Sequence, residues 1–101
     1  MSKTPERAVK DKIVKILKSH GSDIYYFSPI GGAYSVKGVP DIICCVSGRF
    51  LAIECKAGKN KPTELQQMHI EKINTAGGVA VVINEGNLGY LEGVIKLLKD
   101  K

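Results

Sequence analysis

Apolar and polar positions along this 101-residue chain fall into three helical stretches and four strand-like ones. The first helix is marked at its start. Thr4 is placed to cap it, Pro5 suits the first helical position, and Glu6 sits where the helix dipole favours an acid. Val9, Ile13, Ile16 and Leu17 form one apolar stripe, Lys10, Lys12, Lys15 and Lys18 lie outside it, and Gly21 ends the helix. Ile24 to Ser28, aromatic and β-branched, reads as a strand. Pro29 to Val39 is a long glycine-containing loop, of a length that compact domains reserve for function or motion. Asp41 to Val46 is a second strand, almost continuously apolar, as when both faces are covered. A Ser47-Gly48-Arg49 turn joins it in a hairpin to a third strand at 50–56.

Thr63-Glu64-Leu65-Gln66 carries a capping box. The helix it opens is predicted to bury Leu65, either Met68 or His69, Ile70 and Ile73, and to stop at Gly77-Gly78. Val79 to Ile83 is the fourth strand. Because a helix precedes it, the pattern predicts a parallel, right-handed crossover. A last amphipathic helix over 88–99 aligns Leu88, Leu91, Val94, Ile95 and Leu98. The order α-β-β-β-α-β-α predicts an α/β fold: one domain over residues 1–101, with a mixed sheet and helices on its faces.

Composition narrows the setting. The start carries no apolar run and no stretch approaches the roughly 18 apolar residues that span a bilayer, so a soluble, cytoplasmic protein without a membrane partner is expected. Three cysteines, two of them adjacent at 44 and 45, make neither a disulfide framework nor a zinc spacing with His20 and His69. They are expected to be reduced and buried. Fifteen Lys and Arg stand against ten Asp and Glu. If Glu6, Asp41 and Glu54 serve a metal, the excess of basic groups over the remaining acids suits a polyanionic partner.

The chemistry concentrates in Gly38-Val39-Pro40-Asp41 and, further on, Ile53-Glu54-Cys55-Lys56. On a strand, residues two apart share a face, so Glu54 and Lys56 point together, about 7 Å apart, and Cys55 points away. Pairing across the hairpin can bring Asp41 and Glu54 to one hard cation such as Mg²⁺, with the backbone carbonyl of Cys55 available as a third ligand. Lys56 beside them could orient or deprotonate a water and offset charge on a phosphate, which is the equipment of metal-assisted phosphodiester hydrolysis. Singly, Asp41 reads as a turn residue and Glu54-Cys55-Lys56 as a solvated strand end; jointly, two acids and a lysine at the end of a buried strand are costly without a use. Glu6 reads either as a dipole-favoured acid or as a further site carboxylate. Gln66 reads either as half of its capping box or as reaching back toward Lys56, and the two are compatible. Lys37, Arg49, Lys59 and Lys61 are candidate phosphate contacts flanking the site. Residues 58–63 have the wrong glycine spacing for a nucleotide-binding P-loop.

Gly-x-Pro-Asp, Glu-x-Lys, and Thr-x-x-Gln opening a helix that ends Ala76-Gly77-Gly78 together closely resemble the VRR-NUC domain of the PD-(D/E)xK nuclease superfamily, from about Glu6 to Ile83. The resemblance implies a restriction-endonuclease-like αβββαβ core, here with an extra C-terminal helix, and Mg²⁺- or Mn²⁺-dependent cleavage of DNA. By that likeness Asp41 and Glu54 are metal ligands, Lys56 is the catalytic lysine, Gln66 the helix glutamine, and Glu6 the acid of the first helix. Small stand-alone members look like bacterial or phage proteins and resemble Holliday-junction resolvases in size. They pair into dimers so that two sites meet two strands. One departure is the loop after the first strand, where members often carry Asn or Arg and this chain has Pro29-Ile30-Gly31-Gly32-Ala33. The expected function is a metal-dependent, structure-specific DNA endonuclease, a homodimer acting on branched DNA, with the last helix or the 29–39 loop as its interface. Two other classes remain as rivals, a non-catalytic nucleic-acid-binding module and a structural subunit with a stabilising acidic pair.

Overall fold

The computed structural model describes residues 3–31 and 35–100. Gly32 and Ala33, the end of the departing segment, lie outside the described residues. In order, the chain forms α1 (Pro5–Ser19), a 3₁₀ turn (Gly21–Asp23), β1 (Ile24–Phe27), β2 (Ile42–Val46), β3 (Arg49–Cys55), α2 (Glu64–Thr75), β4 (Val79–Ile83) and α3 (Leu88–Lys99). The strands form one sheet in the order β1-β2-β3-β4. The first two pairings are antiparallel and β3 runs parallel to β4, so the sheet is mixed, as the pattern of strands and helices predicts.

Each boundary has a local cause. The Thr4 hydroxyl accepts from the Arg7 N–H at 3.1 Å, with Pro5 starting α1. Thr63 and Gln66 complete the reciprocal capping box of α2. At its other end the Gly77 N–H bonds the Asn74 carbonyl and the Gly78 N–H the Ile73 carbonyl, with Gly77 at φ +99°. That is the Schellman arrangement, which a residue with a β-carbon adopts poorly. Between β2 and β3 the loop is only Ser47-Gly48, both with positive φ, the hairpin turn whose twist matches its strands. Arg49 belongs to β3, not to the turn.

The main core lies between one face of the sheet and the pair α1 and α3. Val9, Ile13 and Leu17 from α1 and Leu91, Ile95 and Leu98 from α3 meet Ile42, Cys44, Leu51, Ile53, Cys55 and Ile83. Burying each such Leu or Ile side chain contributes about 1.5–3 kcal/mol. On the opposite face α2 packs Ile70 against Ala52 and Ala80, with Ile43, Ile73 and Val82 at the margin. No helix is long and apolar enough to cross a membrane among the described residues.

Two expectations about side chains need correcting. Cys45 is exposed, while Cys44 and Cys55 are buried, because the α2 cluster takes in Ile43 at the edge of β2 but does not include Cys45. Leu65 is exposed as well, since α2 buries only Ile70 fully, and of the pair Met68 and His69 it is His69 that is half-buried. Leu65 instead abuts Gly38 of the loop, where a β-carbon would lie 2.6 Å from Leu65 Cγ, and Gly38 has φ +82°. Gly38→Ala therefore combines a strained backbone with a clash. It should destabilise the protein by about 1–3 kcal/mol in denaturant unfolding.

Candidate active site

The two-residue turn fixes the register, and the register builds the site. Val46 pairs with Arg49 and Ile42 with Ile53, so the next pair along the hairpin sets Asp41 opposite Glu54 on one face. Asp41 is fixed by its own hydrogen bond, Oδ2 accepting from the Cys55 N–H at 2.8 Å. Cys55 gives its backbone N–H to the site while its thiol lies in the main core, where burial pushes its pKa up to about 12. Glu6, in the first turn of α1, joins the two strand acids: one carboxylate oxygen from each of Glu6, Asp41 and Glu54 lies within 4.8 Å of the others.

Glu54 is the least solvated of the three, 1 % exposed, and among the described residues no N–H or hydroxyl donates to either of its carboxylate oxygens. Lys56 Nζ is 3.7 Å from Oε2, an ion-pair distance too long for a hydrogen bond. Burial, and next the charge of Asp41, raise the Glu54 pKa from 4.5 to about 8, against the opposing pull of Lys56. A buried carboxylate that faces two more and has one lysine at ion-pair distance is unfavourable by itself and suits a divalent cation, which takes oxygen ligands and removes the repulsion.

Gln66 acts in its capping box: its Oε1 accepts from the Thr63 N–H at 2.9 Å. Among the described residues no hydrogen bond joins it to Lys56. Lys37, Lys59 and Lys61 are exposed. The carbonyl of Lys37 contacts His69 Nε2 at 3.0 Å, and Lys37 lines, with Val36, Pro40 and Asp41, a groove of about 670 Å³. Arg49 does not flank the site. It begins β3 while Glu54 lies next to its last residue, about 17 Å away along the strand, and its guanidinium reaches the Leu98 carbonyl near the end of α3. Sequence patterning passed over Glu85, whose Oε1 accepts from the Gly58 N–H at 2.6 Å and ties down the loop of Lys59 and Lys61. Its only sequence signal is a polar turn after β4, which does not reveal its partner.

A mixed sheet with three acids and a lysine gathered at one end is the arrangement of a restriction-endonuclease-like nuclease. Residues 2–82 match the model of the archaeal Holliday junction resolvase (Hjc) family, and the chain belongs to that family. It is a structure-specific nuclease, a phosphodiester hydrolase that binds DNA. The fold is similar to that of a solved protein described as a VRR_NUC domain protein, with a TM-score of 0.66 at 20 % identity over 99 % of this chain and 89 % of that one. No curated protein matches.

Proposed function

We propose that the protein is a metal-dependent endonuclease that cuts branched DNA such as Holliday junctions, acting as a homodimer with Mg²⁺ or Mn²⁺. The observation that carries this reading is Glu54: a buried carboxylate with neither oxygen receiving a hydrogen bond among the described residues, turned toward Asp41 and Glu6, with Lys56 at ion-pair distance. Asp41, Glu54 and Glu6 would hold the cation, with the Cys55 carbonyl as a further oxygen donor. When bound, the cation supplies Lewis acidity to the phosphodiester.

The chain's own groups divide the remaining work. The Cys55 N–H keeps Asp41 in one orientation, so its free oxygen is aimed before substrate arrives. The Lys56 ammonium donates to the attacking water and to the phosphate oxygen on which negative charge grows. Water forms the new P–O bond and releases a proton to solvent, the bond to the departing sugar oxygen breaks, and that oxygen takes up a proton from solvent, leaving a phosphate monoester and a sugar hydroxyl. Gln66 fixes the start of α2 beside the loop that follows Lys56. Lys37, Lys59 and Lys61 contact phosphates on either side of the cut.

Labelled four-way junctions, flaps, duplexes and single strands, each with Mg²⁺, Mn²⁺ or EDTA, test the proposal. The wild type should cut branched substrates with either cation and stop in EDTA. Lys56→Met should lower the single-turnover rate by about 10²–10⁴-fold with junction affinity held within a fewfold. Binding without cleavage under every condition would instead favour a non-catalytic DNA-binding module on this fold.

A further inference from the structure

Two loops meet where the parallel strands β3 and β4 end together. The loop after β3 leaves at Lys56, turns over residues 57–60 and carries Lys59 and Lys61, both exposed, before Thr63 caps α2. The Asn60 N–H closes the turn on the Ala57 carbonyl at 3.1 Å, with Gly58 in the second position at φ +58°. Such a turn leaves the Gly58 N–H without a partner of its own. Glu85, from the loop after β4, supplies one: its Oε1 accepts that N–H at 2.6 Å, a charge-assisted bond. The Asn84 side-chain amide reaches the Gly58 carbonyl at 3.5 Å. Among the described residues no other side chain bonds the backbone of residues 57–62.

Glu85 is itself held in place. Asn87 Oδ1 accepts the Asn84 N–H at 2.7 Å, Asn84 Oδ1 accepts the Gly86 N–H at 2.8 Å, and the Asn87 amide donates to the Val82 carbonyl at 3.0 Å. A loop braced by its own side chains therefore grips a turn that has little else to hold it. From this we infer that Glu85 is a positioning residue for DNA binding, which sets Lys59 and Lys61 for the phosphates before substrate arrives. The inference rests on the reading of those two lysines as phosphate contacts.

Charge alone points the other way. A carboxylate bonded to the loop that meets the phosphates repels DNA, so by charge its removal would tighten binding. Glu85 is exposed, and salt screens that repulsion. Order acts in the opposite sense. Fixing a loose loop on DNA costs conformational entropy at every residue fixed, and a loop already held avoids that cost. Lys61 gains in the same way from Pro62, which keeps the residue before it extended. Glu85 is not among the three acids that converge on the candidate cation site, so its effect falls on binding and not on the chemical step.

Fluorescence anisotropy on a labelled four-way junction in EDTA tests this with Glu85→Ala, Glu85→Gln and the double variant Lys59→Ala/Lys61→Ala. Glu85→Ala should weaken binding about tenfold, while Glu85→Gln, whose amide oxygen still accepts the Gly58 N–H, should bind at least as tightly as wild type. The lysine double variant should itself bind about tenfold more weakly, and adding Glu85→Ala to it should cost nothing further. In single-turnover cleavage with Mg²⁺, Glu85→Ala should need about tenfold more protein to reach half its maximal rate, with that maximum within about twofold of wild type. Glu85→Ser, too short to reach the turn, repeats the measurement should the alanine variant not fold. Unchanged or tighter binding by Glu85→Ala overturns the inference, as does equal weakening by Glu85→Gln or a loss that persists in the lysine variant. In each of these cases weak binding by the lysine variant leaves the phosphate contacts standing. Wild-type affinity in the lysine variant removes those contacts, and the inference with them.

Discussion

Asn in place of Asp41 should stop junction cleavage while sparing the fold. The substitution keeps the shape, and Asn Oδ1 can still accept the Cys55 N–H that Asp41 Oδ2 accepts at 2.8 Å, so the end of the β2–β3 hairpin stays closed. What disappears is one of three converging carboxyl ligands and its charge. A cation held by two carboxylates is held less tightly and aimed less well. A fall in the single-turnover rate of at least about a thousandfold, near 4 kcal/mol of transition-state stabilisation, is the expected result. Asp41→Ala is the poorer experiment: it strands the Cys55 N–H and adds about 1–3 kcal/mol of instability. Rates on a labelled junction, gel-shift affinity and a thermal melt of the Asn variant together isolate the charge. Wild-type cleavage by that variant removes Asp41 from the mechanism.

Much of this arrangement was legible in the chain because its signals are local. Thr4-Pro5, the Thr63–Gln66 box and Gly77-Gly78 bound two helices through bonds made within a turn of sequence. Faces were harder to read. Period-2 alternation says that Cys44 and Cys45 point oppositely, but not which side a helix will cover. α2 buries one residue fully, so Cys45, Leu65 and Met68 remain outside. The site turned on a single residue of register. With Arg49 counted in the turn, Val46 would pair with Phe50 and Asp41 would fall opposite Cys55, out of step with Glu54. The Ser47-Gly48 turn, with both φ values positive, sets Val46 against Arg49 and so Asp41 against Glu54. It also sends Arg49 to the far end of β3, which is why that arginine cannot serve as a phosphate contact beside the acids. Glu85 and Gly58, far apart in sequence, meet only because β3 and β4 run parallel and end together.

The stability of the metal-free protein should fall as pH rises from about 5 to 8, and a divalent cation should reverse that fall. In the folded chain Glu54 holds its proton up to about pH 8, whereas in the unfolded chain it ionises near its ordinary 4.5. Between those values the native state binds more protons, so each rise in pH favours unfolding until Glu54 ionises in both states and the slope levels off. A cation takes the place of that proton. Its stabilising effect should therefore be small at pH 5, where it must displace a proton that Glu54 retains, and large at pH 8 and just above, where the bare carboxylate otherwise sits buried beside Asp41 and Glu6. Glu54→Gln should flatten the metal-free profile and lose most of the cation response, since a neutral amide neither titrates nor offers the same charge. Melting temperatures at pH 5, 6.5 and 8, with EDTA or with Mn²⁺ in excess, read both effects in one series without any DNA present. Equal Mn²⁺ shifts at pH 5 and pH 8 would mean that Glu54 is not where the cation binds.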